Sequence, residues 1–172
     1  LFRSVASKHA WPPEVIAVKG SSEVSKTVRA TPGAIGYIDY AYVAQDSLTP
    51  VQLRSAAGRY LSASPESFRN AVVNSRWFSH GDFSEGLVQM PGEGAWPITM
   101  GTYAVVPKVA AEPERAVRTL RFFMWAYGHG DALARHAKFA ALPEKVQASA
   151  FRELSSVTGR NGEPLGMNAL VR

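Results

Sequence analysis

The chain has 172 residues, 46% apolar and 19% charged, with a net charge of +5 at pH 7. That length fits one domain or two small lobes with a real core, and the composition is ordinary for a globular protein. The absence of cysteine excludes disulfides, thiolate metal centres and a cysteine nucleophile, and no apolar run is long enough to read as a membrane span. The basic excess is spread along the chain rather than gathered in one segment. This argues against a nucleic-acid binder, while a mild positive field suits an anionic ligand.

Leu1-Phe2-Arg3-Ser4 shows no basic region leading into an apolar core, and there is no initiator methionine, so the chain reads as a processed or cut piece. Leu1, Val5 and Ala6 share one face and predict the end of a helix over residues 1–10, stopped by Trp11-Pro12-Pro13. Residues 15–18 read as a short strand. Lys19-Gly20-Ser21-Ser22-Glu23 then opens a helix over residues 21–30. Ser21 or Ser22 is its expected cap, and Glu23 suits the positive end of the helix dipole. Thr31-Pro32-Gly33 is a turn signal: proline presets φ, and glycine supplies the positive φ that a type II turn needs next. The run Ala34-Ile35-Gly36-Tyr37-Ile38 predicts a short buried strand, with Gly36 marking a close backbone approach. A short helix is expected from Ala41, capped by Asp39.

A turn follows at Asp46-Ser47, with a strand at residues 49–53 and an extended piece after Gly58. Ser64-Pro65-Glu66-Ser67 is a helix start, serine at the cap and proline first, predicting a helix to about Trp77 with Phe68, Val72 and Val73 on its apolar side. Residues 79–94 read as a loop and 96–106 as strand. From Ala111 the spacing of Val117, Leu120, Met124 and Tyr127 is helical, with Gly128 as the expected C-cap. Asp131 is expected to cap a second helix ending near His136 or Lys138. Pro143 opens a third, with Val146, Ala150 and Leu154 inward, and residues 159–166 read as a polar tail.

Chemistry-bearing residues are few. The start at Gly20-Ser21-Ser22 is the best local anion site, because free backbone N–H groups, the dipole and serine hydroxyls all favour a negative ligand there. The plain alternative is an ordinary capped helix. The histidines His9, His80, His129 and His136 have no metal-ligand spacing. His80-Gly81-Asp82 and His129-Gly130-Asp131 each put an acid two residues from a histidine, a pattern more often solvated or capping than catalytic. No nucleophile elbow, phosphate loop or dinucleotide fingerprint occurs. No catalytic, metal or cofactor site is therefore predicted, and the chain reads as a non-enzyme. Phe122, Phe123, Trp125 and Tyr127 crowd one stretch of helix, so some must face outward or meet another lobe, with core packing the default for the group.

Four blocks carry a resemblance. Thr31-Pro32-Gly33-Ala34-Ile35-Gly36-Tyr37-Ile38-Asp39-Tyr40-Ala41-Tyr42 comes first, then Ala95-Trp96-Pro97-Ile98-Thr99 with the segment from Tyr103 to Pro107. Leu120-Arg121-Phe122-Phe123-Met124-Trp125-Ala126-Tyr127-Gly128-His129-Gly130 follows, and Ala141-Leu142-Pro143 is last. In content and order they resemble the periplasmic phosphate-binding proteins that feed phosphate ABC transporters. The resemblance implies an α/β, periplasmic-binding-protein-like (type II) fold of two lobes that close by a hinge over an oxyanion. Helix N-termini, Ser and Thr hydroxyls, an arginine and an acidic residue that selects protonated phosphate hold the ligand in that family.

In the family a Ser-Gly-Thr motif precedes the helix that here begins at Leu1-Phe2. The resemblance therefore implies the C-terminal portion only, lacking the main anion-binding residues. Residues 1–98 would complete the second lobe, and residues 99–172 would cross back to the first. Where the family usually has Gly-x-Glu/Asp-Gly-Val, this sequence has Ser22-Glu23-Val24-Ser25, so Ser21 and Ser22 inherit no ligand role. The implied function is non-catalytic capture of phosphate or a similar oxyanion and its delivery to an ABC permease. The implied location is the periplasm, or the outer surface of the cell. Unpaired strand edges and bare helix faces would call for the missing N-terminal half or a second copy of the chain. Two alternatives remain: an interaction or sensory module without anion binding, and a hydrolase using His80 or His129.

Overall fold

The computed structural model describes residues 12–168 and residue 170. The helix expected over residues 1–10 lies outside them. The chain divides into two compact units, residues 1–48 and 49–172.

In the first unit, α1 (Gly20–Ala30) is entered through Gly20 at φ +79°. This left-handed turn, open to glycine, brings the chain into the helix before either serine is reached. The N-cap is therefore Lys19, without a side-chain cap bond, in place of the expected Ser21 or Ser22. The turn at Thr31-Pro32-Gly33 forms as expected: Gly33 takes φ +82° and the Ala34 N–H donates to the Thr31 carbonyl at 3.0 Å. Residues 34–39 then run extended but pair into no ladder among the described residues, and neither do residues 15–18.

The extended segment lies against α1 because Gly36 has no side chain. A Cβ there would stand 2.9 Å from both Val24 Cγ1 and Val28 Cγ2. Side chains alternate along an extended backbone, and Ile35 and Tyr37 are 86% and 79% exposed. The expectation of a buried strand is thus corrected: only the Gly36 side is covered within this unit. α2 (Tyr40–Gln45) starts one residue earlier than expected, with Asp39 at its N-cap position but no side-chain cap bond.

The second unit opens with a hairpin. β1 (Leu53–Arg54) pairs antiparallel with β2 (Tyr60–Leu61), Leu53 opposite Leu61 and Arg54 opposite Tyr60. Of the strand expected at residues 49–53, only its end joins this ladder. α3 (Pro65–Val73) begins as its sequence dictates. Ser64 Oγ accepts the Ser67 N–H at 3.1 Å and Ser67 Oγ accepts the Ser64 N–H at 3.0 Å, a reciprocal capping box.

The single helix expected to Trp77 breaks instead at Asn74-Ser75. Ser75 Oγ donates to the Val72 carbonyl at 2.6 Å and accepts the Trp77 N–H at 3.2 Å, ending α3 and capping α4 (Arg76–His80) in one move. α4 therefore includes Ser79 and His80, which were expected in the following loop. The indole N–H of buried Trp77 donates to the Glu85 carbonyl at 2.8 Å. Of residues 96–106, expected as strand, only Ile98 makes a bridge, to Val88.

β3 (Val109–Ala110) pairs parallel with β4 (Thr158–Gly159). α5 (Pro113–His129) runs through Gly128, and the closing residue is Gly130, whose N–H donates to the Ala126 carbonyl at 2.7 Å. Gly130 is also the N-cap of α6 (Asp131–His136), so Asp131 is the first helical residue and not the cap. α7 (Glu144–Ser155) follows Pro143. The tail expected to be polar, residues 159–166, overlaps the end of β4 and the start of α8 (Leu165–Asn168), and it buries Leu165. One leucine among polar residues leaves no periodic trace for a sequence reading to find.

Two apolar clusters form the core of this unit. Ala110, Leu120, Met124, Val157 and Leu165 make one, with Phe151 and Leu154 of α7 against it. Val72, Trp77, Leu87 and Val146 make the other, with Phe78, Phe83 and Leu142 beside it. Residues before and after position 98 thus share one core. Among the described residues no helix is long and apolar enough to cross a membrane.

Candidate functional site

The start of α1 is the place that sequence reasoning singled out. Its first turn has no side-chain cap from Lys19, which leaves backbone donors of the kind that attract anions. Ser22 is exposed. Ser21 is not free: its hydroxyl donates to Asp39 Oδ2 at 3.0 Å. The extended segment that lies on α1 at Gly36 carries Asp39 to that point. The carboxylate benefits from the positive end of the helix dipole, and it repels a fully ionised ligand from the same first turn.

One turn further along, Ser25 is fully buried and donates its hydroxyl to the Asp46 carboxylate. Two serines of α1 thus hold the two carboxylates that flank α2. Sequence reasoning named Ser21 and Asp39 separately and missed the pairing, because they stand 18 positions apart. On the solvent side Lys26 pairs with Glu23 at 2.8 Å. That hydrogen bond, reinforced by charge, holds the lysine above its ordinary pKa.

The two histidine–aspartate pairs are not coupled. His80 Nδ1 lies 2.7 Å from Ser79 Oγ, whereas Asp82 turns to Ser84. It accepts from the Ser84 hydroxyl at 2.6 Å and the Ser84 N–H at 3.0 Å, with Arg76 Nε at 3.0 Å. The bonds from Ser84, hydroxyl first, hold the Asp82 carboxyl below the usual carboxylate range. His129 Nδ1 lies 3.0 Å from the Trp125 carbonyl, and its ring stacks on the Trp125 indole at 5.5 Å. Asp131 instead accepts from Gln147 Nε2 at 2.9 Å. Neither acid orients its neighbouring histidine, as a general base would need. Among the described residues no group of three or more His, Asp and Glu could hold a metal.

The aromatic stretch on α5 divides. Phe122 and Trp125 are 60% and 53% exposed, against the default of core packing, whereas Phe123 and Tyr127 are half-buried. Burial pushes the Tyr127 phenol above its ordinary pKa.

No protein-family model matches the chain. It is similar to the phosphate-binding protein PstS of Xylella fastidiosa (strain Temecula1), 35% identical over 136 residues, or 79% of this chain and 37% of that protein. The phosphate-binding protein PstS of Haemophilus influenzae is 32% identical over 128 residues, covering 74% of this chain and 38% of its own length. For PstS of Pasteurella multocida the figures are 32% identity over 146 residues, 83% and 42%. The chain thus spans about two fifths of the length of these relatives, as a partial PstS-like sequence.

Proposed function

We propose that this PstS-like chain is part of a non-catalytic substrate-binding component of an ABC importer. In this reading it belongs to a protein that captures inorganic phosphate or a similar oxyanion in the periplasm and hands it to a membrane permease. The observation that carries the reading is the similarity to phosphate-binding proteins over 79% of the chain. The fold we infer for the whole protein is periplasmic-binding-protein-like, of type II. The 172 residues contain no Ser-Gly-Thr, the motif that the resemblance ties to the anion. The main oxyanion ligands would then come from outside this sequence, and Ser21 and Ser22 stand as secondary candidates at the start of α1.

One observation favours a second reading, an interaction or sensory module without anion binding. The Asp39 carboxylate on Ser21 puts negative charge at the candidate helix start. A chimera separates the two. This chain replaces the matching region of the Xylella PstS protein, and phosphate binding is measured by calorimetry beside the 172-residue chain alone. Micromolar or tighter binding by the chimera, with none by the chain, supports the importer component. A folded chimera that ignores phosphate supports the module. Binding by the chain alone would place an anion site among its own residues, with Ser21→Ala and Ser22→Ala as the next variants.

A further inference from the structure

A cavity of about 300 Å³ opens where α5, α6 and the segment leading into α7 meet. This volume is at the lower end of the range of small-molecule sites. Phe123, Tyr127, Ala134 and Leu142 supply apolar wall, and Asp131 and Gln147 supply the polar positions. At the Asp131 and Gln147 side chains the polar capacity left over is of one kind. Gln147 Nε2 donates to Asp131 Oδ1 at 2.9 Å and to the Leu142 carbonyl at 3.0 Å, which commits both amide hydrogens. Among the described residues Asp131 Oδ2 and Gln147 Oε1 accept no hydrogen bond, and both are lone-pair acceptors. Asp131 is the sole ionised group among the lining residues, and no Lys or Arg is one of them.

We propose that this cavity is a binding site for a small organic primary ammonium ion with an apolar body. The ammonium group brings three N–H donors and a positive charge to a wall that has acceptors and one carboxylate to spare. The body displaces water from the Phe123, Tyr127, Ala134 and Leu142 surface, where aromatic faces also attract a cation. An anion would meet an unpaired carboxylate and no cationic partner, so the site is distinct from any phosphate site. The net charge of +5 opposes a cation at long range. At physiological salt that field is screened within about 8 Å, and the local carboxylate decides.

The test is calorimetric titration of the 172-residue chain with benzylammonium chloride, benzyl alcohol as the neutral isostere and sodium chloride as the salt control. Saturable benzylammonium binding, at least about tenfold tighter than benzyl alcohol, is the expected result. Asp131→Asn keeps the side-chain shape and should weaken benzylammonium about tenfold or more while leaving benzyl alcohol unchanged. Ala134→Leu fills the space without touching the charge and should abolish both. Circular dichroism of each variant separates lost binding from lost fold. Equal affinity for the alcohol and the ammonium, or a folded Asp131→Asn chain that binds benzylammonium as well as the parent, overturns the proposal. So does the absence of saturable binding to the parent chain.

Discussion

Ser25 and Asp46 are partners across the first unit: a fully buried hydroxyl on α1 donates to the carboxylate at the C-terminal end of α2. A hydrogen bond to an ionised group is among the stronger local contacts, and removing the donor strands the acceptor. Ser25→Ala is expected to cost about 1–3 kcal/mol. Amide exchange in α1, followed by NMR, should accelerate roughly ten- to hundredfold. Unchanged exchange would mean that Asp46 is satisfied by water instead.

Gly36→Ala should destabilise the same unit by about 1–3 kcal/mol, because its Cβ would press on Val24 and Val28. Valine on a helix has one strongly preferred rotamer and cannot swing aside. Adding Val28→Ala to Gly36→Ala should recover part of the loss, a non-additivity that a double-mutant cycle reads directly. Strict additivity would show that the segment does not press on α1.

Leu120→Ala tests the second unit. Leu120 is fully buried among Ala110, Met124, Val157 and Leu165, and a cavity of that kind costs about 2–5 kcal/mol. Urea unfolding of the variant should show the midpoint falling with the slope unchanged. Phe122→Ala, on the exposed side of the same helix, should change stability by less than about 0.5 kcal/mol.

The Asp82 carboxyl should titrate below the usual value of 3.8, since Ser84 and Arg76 favour its charged form. A depressed folded-state pKa gives stability that is complete above the unfolded-state value and is lost as pH falls through the folded one. Below neutrality, Asp82 therefore favours the fold until strongly acid conditions. In a carbon-detected NMR titration Ser84→Ala should move the Asp82 midpoint upward, and Arg76→Gln should move it less. The reverse order would make charge, and not the serine bonds, the main cause.

Punctuation was the most legible layer of this sequence. Pro32-Gly33 produced its turn and Ser64-Pro65 its capped helix, because both signals act within four residues. The inward positions of α5 and α7 were legible at Leu120, Met124 and Val146, where period and burial agree. Boundaries failed where one residue served two neighbours: Ser75 ended one helix and began another, and Gly130 did the same for α5 and α6. The strand expected at residues 34–38 found no ladder partner among the described residues, since pairing depends on residues far away in the sequence. At the candidate site Ser21 was readable as a donor. Its acceptor Asp39 was not, nor was the bond from Ser25 to Asp46, because local spacing carries no sign of which carboxylate folds back onto a helix.

α7 forms a wall of both apolar clusters in the second unit, with Val146 in one and Phe151 and Leu154 against the other. Shared walls merge thermodynamic boundaries: neither cluster can melt while its half of α7 stays wound and covered. The second unit should therefore behave as one cooperative foldon. The Val146 and Leu154 amides would then exchange at a single rate set by global opening, and proteases would find no stable intermediate with only one cluster intact.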